Sequence, residues 1–137
     1  MLKKTWVPTE SFIRFFARLT IGLSVIHLAF ETFYTFRFGQ SFVGYLPDYV
    51  SVALMIFGGR LALQNINATG VLCGAWGFAL CLHYRSWAWR FEAGYHGLLL
   101  QERQAMVEAL LGASMLISLL CFLVALVLCV PAGSSSQ

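Results

Sequence analysis

The sequence predicts an all-α protein, a single bundle of four transmembrane helices with short connections. Three observations predict it. Of 137 residues, 59% are hydrophobic, only 11% are Asp, Glu, Lys or Arg, and the mean hydropathy is +0.75. An ordinary soluble domain carries about 25% charged residues. The apolar residues fall into long runs parted by short stretches rich in Gly, Pro and Asn. The basic residues gather at the edges of those runs, where long side chains reach lipid headgroups.

The first span is expected over residues 12–36, with an uncharged centre over 19–30. Glu10, Arg14 and Arg18 follow one another at spacings of four, so they line one face of its opening turns. A connector follows to Asp48, marked by Gly39, Gly44 and Pro47. The second span is expected over 49–65; it is short and carries Arg60 after the pair Gly58–Gly59. A re-entrant second segment beside three full spans is the alternative to four spans. Asn65 to Gly70 reads as a tight turn, which makes spans two and three antiparallel neighbours.

The third span is expected over 70–84. Gly70 and Gly74, then Ala75 and Ala79, repeat small residues at spacings of four, the pattern that lets helix backbones approach closely in lipid. These four residues are the expected helix-packing positions. An aromatic, mixed-charge segment over 85–97 then reads as an interfacial belt, with Trp87, Trp89, Phe91 and Tyr95. The fourth span is expected over 105–130. Its uncharged part, 109–130, reaches about 33 Å at 1.5 Å per residue, enough for a hydrocarbon core of roughly 30 Å. Pro131 and Gly133 end it. The whole chain, 1–137, is expected to form one integral membrane domain.

An even number of spans puts both termini on one side. The basic residues divide almost equally between the two sides, so Lys3 and Lys4 at the first span decide the expectation: both termini in the cytoplasm, in a plasma membrane of bacterial type. Arg14 and Arg18 interrupt the first apolar run and no small-residue cleavage site follows, so it reads as a retained span, not a signal peptide. Asn67-Ala68-Thr69 matches a glycosylation sequon, but a turn this tight lies too close to the bilayer to serve as one.

Several functions are excluded by what is present. A net charge of +3 does not make a nucleic-acid surface. Cys73, Cys81, Cys121 and Cys129 all lie in apolar runs without a CxxC pair, so neither a disulfide framework nor a metal site is expected. No nucleophile elbow, HExxH, P-loop or GxGxxG occurs.

Ionisable residues inside lipid are costly and so are the first suspects for function. His27 and Glu31, four apart on span one, share a helical face and form a candidate proton-binding couple. Tyr34, His83 and Arg85 lie toward the same end of the bundle and would line its mouth. His27 and His83 also fall at similar depth, which admits haem between helices as a remote reading. No other cofactor is expected.

Arg18 and the pair Gly58–Gly59 resemble the pattern of DoxX-like proteins, but the glycines and lysine of that family's first span are replaced here by His27 and Glu31. Glu31 in the first of four spans also resembles the small multidrug transporters, whose remaining motifs are absent. Neither likeness carries a function over.

The leading expectation is therefore a small, non-enzymatic multi-pass membrane protein. Its partners would be the lipid bilayer and a homo-oligomer or a larger membrane complex. A proton-coupled small-molecule carrier working as an oligomer is the second reading, and a haem-binding electron-transfer subunit the third.

Overall fold

A computed structural model of the chain describes residues 8–39, 41–98 and 104–129. Lys3, Lys4, Pro131 and Gly133, on which parts of the sequence reading rest, lie outside them. Four helices follow in order: α1 (Glu10–Phe38), α2 (Phe42–Gln64), α3 (Thr69–Tyr95) and α4 (Gln104–Cys129). The protein is an all-α bundle. Three helices, α1, α2 and α4, are long and apolar enough to cross a membrane. α3 is as long as they are, but His83, Arg85, Arg90 and Glu92 make its second half more polar.

The helix ends follow from local chemistry. Thr9 caps α1 by accepting from the Phe12 N–H, and Gly39 closes it in the left-handed region at φ 65°. Ser41 caps α2 in the same way as Thr9, accepting from Gly44 N–H. That cap starts α2 at Phe42, well before the residue 49 expected from the turn-forming residues. Pro47 sits close enough to the N-terminus that its missing N–H removes only one early helical bond. The Asn65 side chain accepts from the Asn67 N–H at 3.0 Å and folds the chain into α3. α3 continues through the aromatic segment to Tyr95 and does not stop near residue 84. Trp87 and Phe91, one turn apart, stack at 5.3 Å, and Trp87 fills the space over Gly112 of α4. Trp87 is thus packed against α4, while Trp89, Phe91 and Tyr95 remain exposed.

Cross-helix bonds fix the directions. Arg14 near the start of α1 donates to the Leu63 carbonyl at the end of α2, at 2.9 Å. Thr69 at the start of α3 donates to the Leu128 carbonyl at the end of α4, at 3.1 Å. Both neighbouring pairs are antiparallel, so the start of α1, the α2–α3 turn and the end of α4 share one end of the bundle.

The core lies toward that end. Phe16, Ala17, Leu72, Ala75, Trp76 and Ala125 are all buried there. Trp76 is held by its indole N–H, which donates to Thr20 at 3.0 Å, while Thr20 donates to the Phe16 carbonyl. Close approach is allowed by two glycines of α2. A Cβ on Gly58 would stand 3.2 Å from the Leu72 backbone, and one on Gly59 would stand 2.7 Å from Ile21. The outer surface is apolar: Phe15, Phe30, Phe33, Leu110 and Leu120 are each more than half exposed. In water such a surface would aggregate; against lipid tails it carries no penalty.

Candidate functional site

Away from the apolar core, the bundle interior turns polar where α1, α2 and α3 meet. His27 and Glu31 lie on adjacent turns of α1, as the spacing of four requires. Asp48 enters from the second turn of α2. Its position follows from the helix beginning at Ser41, because Asp48, Val52 and Met55 then share one face, and Val52 and Met55 are core residues. One ligand-type atom from each of His27, Glu31 and Asp48 lies within 4.8 Å of the others. His27 Nε2 and Asp48 Oδ1 are 3.7 Å apart, too far for a hydrogen bond. His27 and Asp48 side chains are only 18% and 23% exposed.

His27 Nε2 is buried and has no hydrogen-bond partner. Leaving such an atom unsatisfied costs about 1–3 kcal/mol. Glu31 and Asp48 are only part-buried, but two carboxylates side by side and partly withdrawn from water are costly unless a positive charge sits between them. The cluster therefore calls for a positive species.

α3 closes one side of the site with His83. Its ring meets that of His27 edge to face at a centroid separation of 5.0 Å. His83 Nδ1 is bonded to the hydroxyl of Ser118, a buried residue of α4, at 2.6 Å. All four helices thus contribute to the cluster or its support. The edge-to-face contact bears on haem. A bis-histidine haem needs a porphyrin plane between the two rings, and a direct contact at 5.0 Å leaves no room for one.

The remaining expected residues divide. Tyr34 lies one turn beyond Glu31 and accepts from Arg90 at 3.1 Å. Thr32 and Tyr49 share a hydrogen bond at 3.0 Å, tying α1 to α2 beside the cluster. Arg85 is exposed and makes no ion pair with Glu31. Its α3 position is two residues from His83, about 200° around the helix at 3.6 residues per turn, so it points away from the site. Arg90, seven residues from His83, returns to its face.

Ala75 and Ala79 are buried between helices, whereas Gly70 and Gly74 face outward with open space beside them. Cys73 of α3 and Cys129 of α4 are free thiols of intermediate burial and belong to neither the His27 cluster nor a disulfide. Asp48 and Ser118 are not among the expected site residues, although the order of the spans already sets Asp48 in the same half of the bundle as Glu31 and His83. The signal for Asp48 was its spacing from the apolar positions of α2; for Ser118, whose hydroxyl lies in an uncharged run, there was none.

Comparison with known proteins returns no match: no family model, no curated protein and no solved structure corresponds to this chain.

Proposed function

We propose that this chain is an integral membrane protein that binds a small cation inside its bundle, and that it works as a homo-oligomer or as part of a larger membrane complex. The observation that carries the reading is the meeting of His27, Glu31 and Asp48 within a bundle whose outer faces are apolar. Carboxylates in such surroundings are expensive and mark ion pathways and coupling sites in membrane proteins. Protons or a divalent metal ion would neutralise the cluster, and carriage of a small molecule coupled to that cation is the activity it suits.

The oligomer follows from size. A four-helix protomer has too little interior for a polar pathway, so a carrier of this length would share one with a symmetric partner. The open face around Gly70 and Gly74 is where two α3 helices could approach, since small residues four apart favour close helix contact.

The test is purification in mild detergent, mass determination, and reconstitution into vesicles with an imposed cation gradient. Wild type is expected to run above the monomer mass and to show gradient-driven flux. Glu31→Gln should lose the flux while keeping helix content and mass. Flux unchanged in Glu31→Gln would overturn the cation reading, and a strictly monomeric wild type would overturn the oligomer. Gly70→Leu with Gly74→Leu should shift the mass to monomer if that face is the contact.

A further inference from the structure

We infer that His27, Glu31 and Asp48 form a binding site for a first-row divalent transition-metal cation, of which Zn2+ is the representative. The inference rests on the cation reading above and names the cation.

Charge, geometry and donor type lead to it independently. Glu31 and Asp48 supply two carboxylates to one part-buried locus, and His27 supplies an imidazole. A single divalent ion held by these three ligands is electrically neutral as a unit, so it compensates both part-buried charges at once. A monovalent ion would leave one charge uncompensated.

The spacing suits a small ion. Metal–ligand bonds of about 2.0–2.2 Å in a tetrahedral shell put neighbouring ligand atoms roughly 3.4 Å apart. His27 Nε2 and Asp48 Oδ1 stand 3.7 Å apart, and all three atoms lie within 4.8 Å. The His27–Asp48 separation is too long for a hydrogen bond and near what a shared ion would impose.

The donor set selects the metal. Imidazole nitrogen favours zinc and its transition-metal neighbours over magnesium and calcium, which prefer all-oxygen shells. No cysteine takes part, which disfavours a copper(I) site. His27 Nε2, buried and without a hydrogen-bond partner, is the atom that a metal would engage.

The surroundings support the ligands. The His83 ring packs edge-on against His27 and is itself held by buried Ser118, which restrains the ring plane of His27. His83 and Ser118 are positioning residues here. Such outer partners typically alter metal affinity by about 10–100-fold when removed.

The experiment uses the full chain in mild detergent, freed of metal, and titrated with Zn2+ and with Co2+ as a spectroscopic probe. One Zn2+ per chain is expected. Co2+ should give visible d–d bands without the near-ultraviolet thiolate charge-transfer band. His27→Gln, Glu31→Gln and Asp48→Asn should each weaken binding by more than tenfold with helix content retained. Ser118→Ala should weaken it less and leave the ligand set seen by Co2+ unchanged.

If a variant fails to fold, the Co2+ spectrum of wild type still decides the matter. A thiolate band would assign the metal to cysteines and overturn the site. Equal affinity for Mg2+ or Ca2+ would overturn the transition-metal assignment. No metal binding, with flux still lost in Glu31→Gln, would overturn this inference and leave the proton as the cation. No metal binding and no effect of Glu31→Gln would end both readings.

Discussion

Thr20 is fully buried and bonded on both sides, donating to the Phe16 carbonyl and accepting from the Trp76 indole. The two contacts differ in worth. Thr20→Val keeps the shape and leaves the Trp76 N–H without its partner, costing about 1–3 kcal/mol. Trp76→Ala also opens a cavity beside Phe16 and should cost about 3–5 kcal/mol. Thermal unfolding followed by circular dichroism in one detergent should therefore rank wild type above Thr20→Val and Thr20→Val above Trp76→Ala. Equal midpoints for the two variants would mean that Trp76 is not the centre of the core. A similar weighing applies to Arg14. Its ion pair with Glu10, at 2.8 Å, joins side chains 41% and 56% exposed, and such pairs contribute little. Its bond to the Leu63 carbonyl ties α1 to the negative end of α2. Glu10→Gln should change stability by less than about 0.5 kcal/mol, and Arg14→Ala by roughly 1 kcal/mol, read from the same unfolding curves.

Among the helices, α2 shows how small residues choose a packing face. Gly58 and Gly59 lie on adjacent positions and face different neighbours, Leu72 of α3 and Ile21 of α1. A methyl at Gly59 must displace both the Ile21 side chain and the Ala17 carbonyl oxygen, 3.0 Å away. The carbonyl belongs to a helix backbone and does not yield. Gly59→Ala should cost about 1–3 kcal/mol by overpacking. Gly74→Ala enters open space and gains helix propensity of up to about 1 kcal/mol, so in the monomer it should be neutral or stabilising. Opposite shifts in unfolding midpoint check the pair. Gly59→Ala as stable as wild type would mean that α1 and α2 do not approach through that glycine. The Gly70–Gly74 spacing was legible in the sequence as a packing motif, yet inside this bundle the close approach is made by Gly58 and Gly59. Spacing shows which residues are small; which face a neighbour occupies depends on how each helix is rotated about its axis.

The bundle as a whole alternates direction, with the start of α1 and the end of α4 at one end and the α3–α4 connection at the other. Reporter fusions test this against a real membrane. Alkaline phosphatase after Gln137 should be inactive and a cytoplasmic reporter active there, with the reverse for fusions after Leu98. Opposite signals at both sites would invert the orientation and leave the bundle intact. The same signal at both would show that α4 does not cross, which its apolar length contradicts.

Sequence alone determined that the chain is helical and apolar, that its turns are short, and that His27 and Glu31 share a face. These are local properties: composition, caps and a spacing of four act within one helix, whatever packs against it. Its reading of residues 37–48 as a connector counted Gly39, Gly44 and Pro47, and missed that Ser41 starts a helix able to carry one proline early. That reading leaves Asp48 in a connector, and it sets Arg85 at the site because the expected third span stops at 84, eleven residues short of Tyr95, so the helical face of Arg85 is undefined. Only the tertiary structure decided that Asp48 of α2 meets His27 and Glu31 of α1, that His83 closes against His27, and that Ser118 of α4 holds His83. Those contacts join residues far apart in the chain. They exist because Gly58, Gly59 and the Trp76 core set the rotation and separation of the helices, which no single stretch of sequence contains.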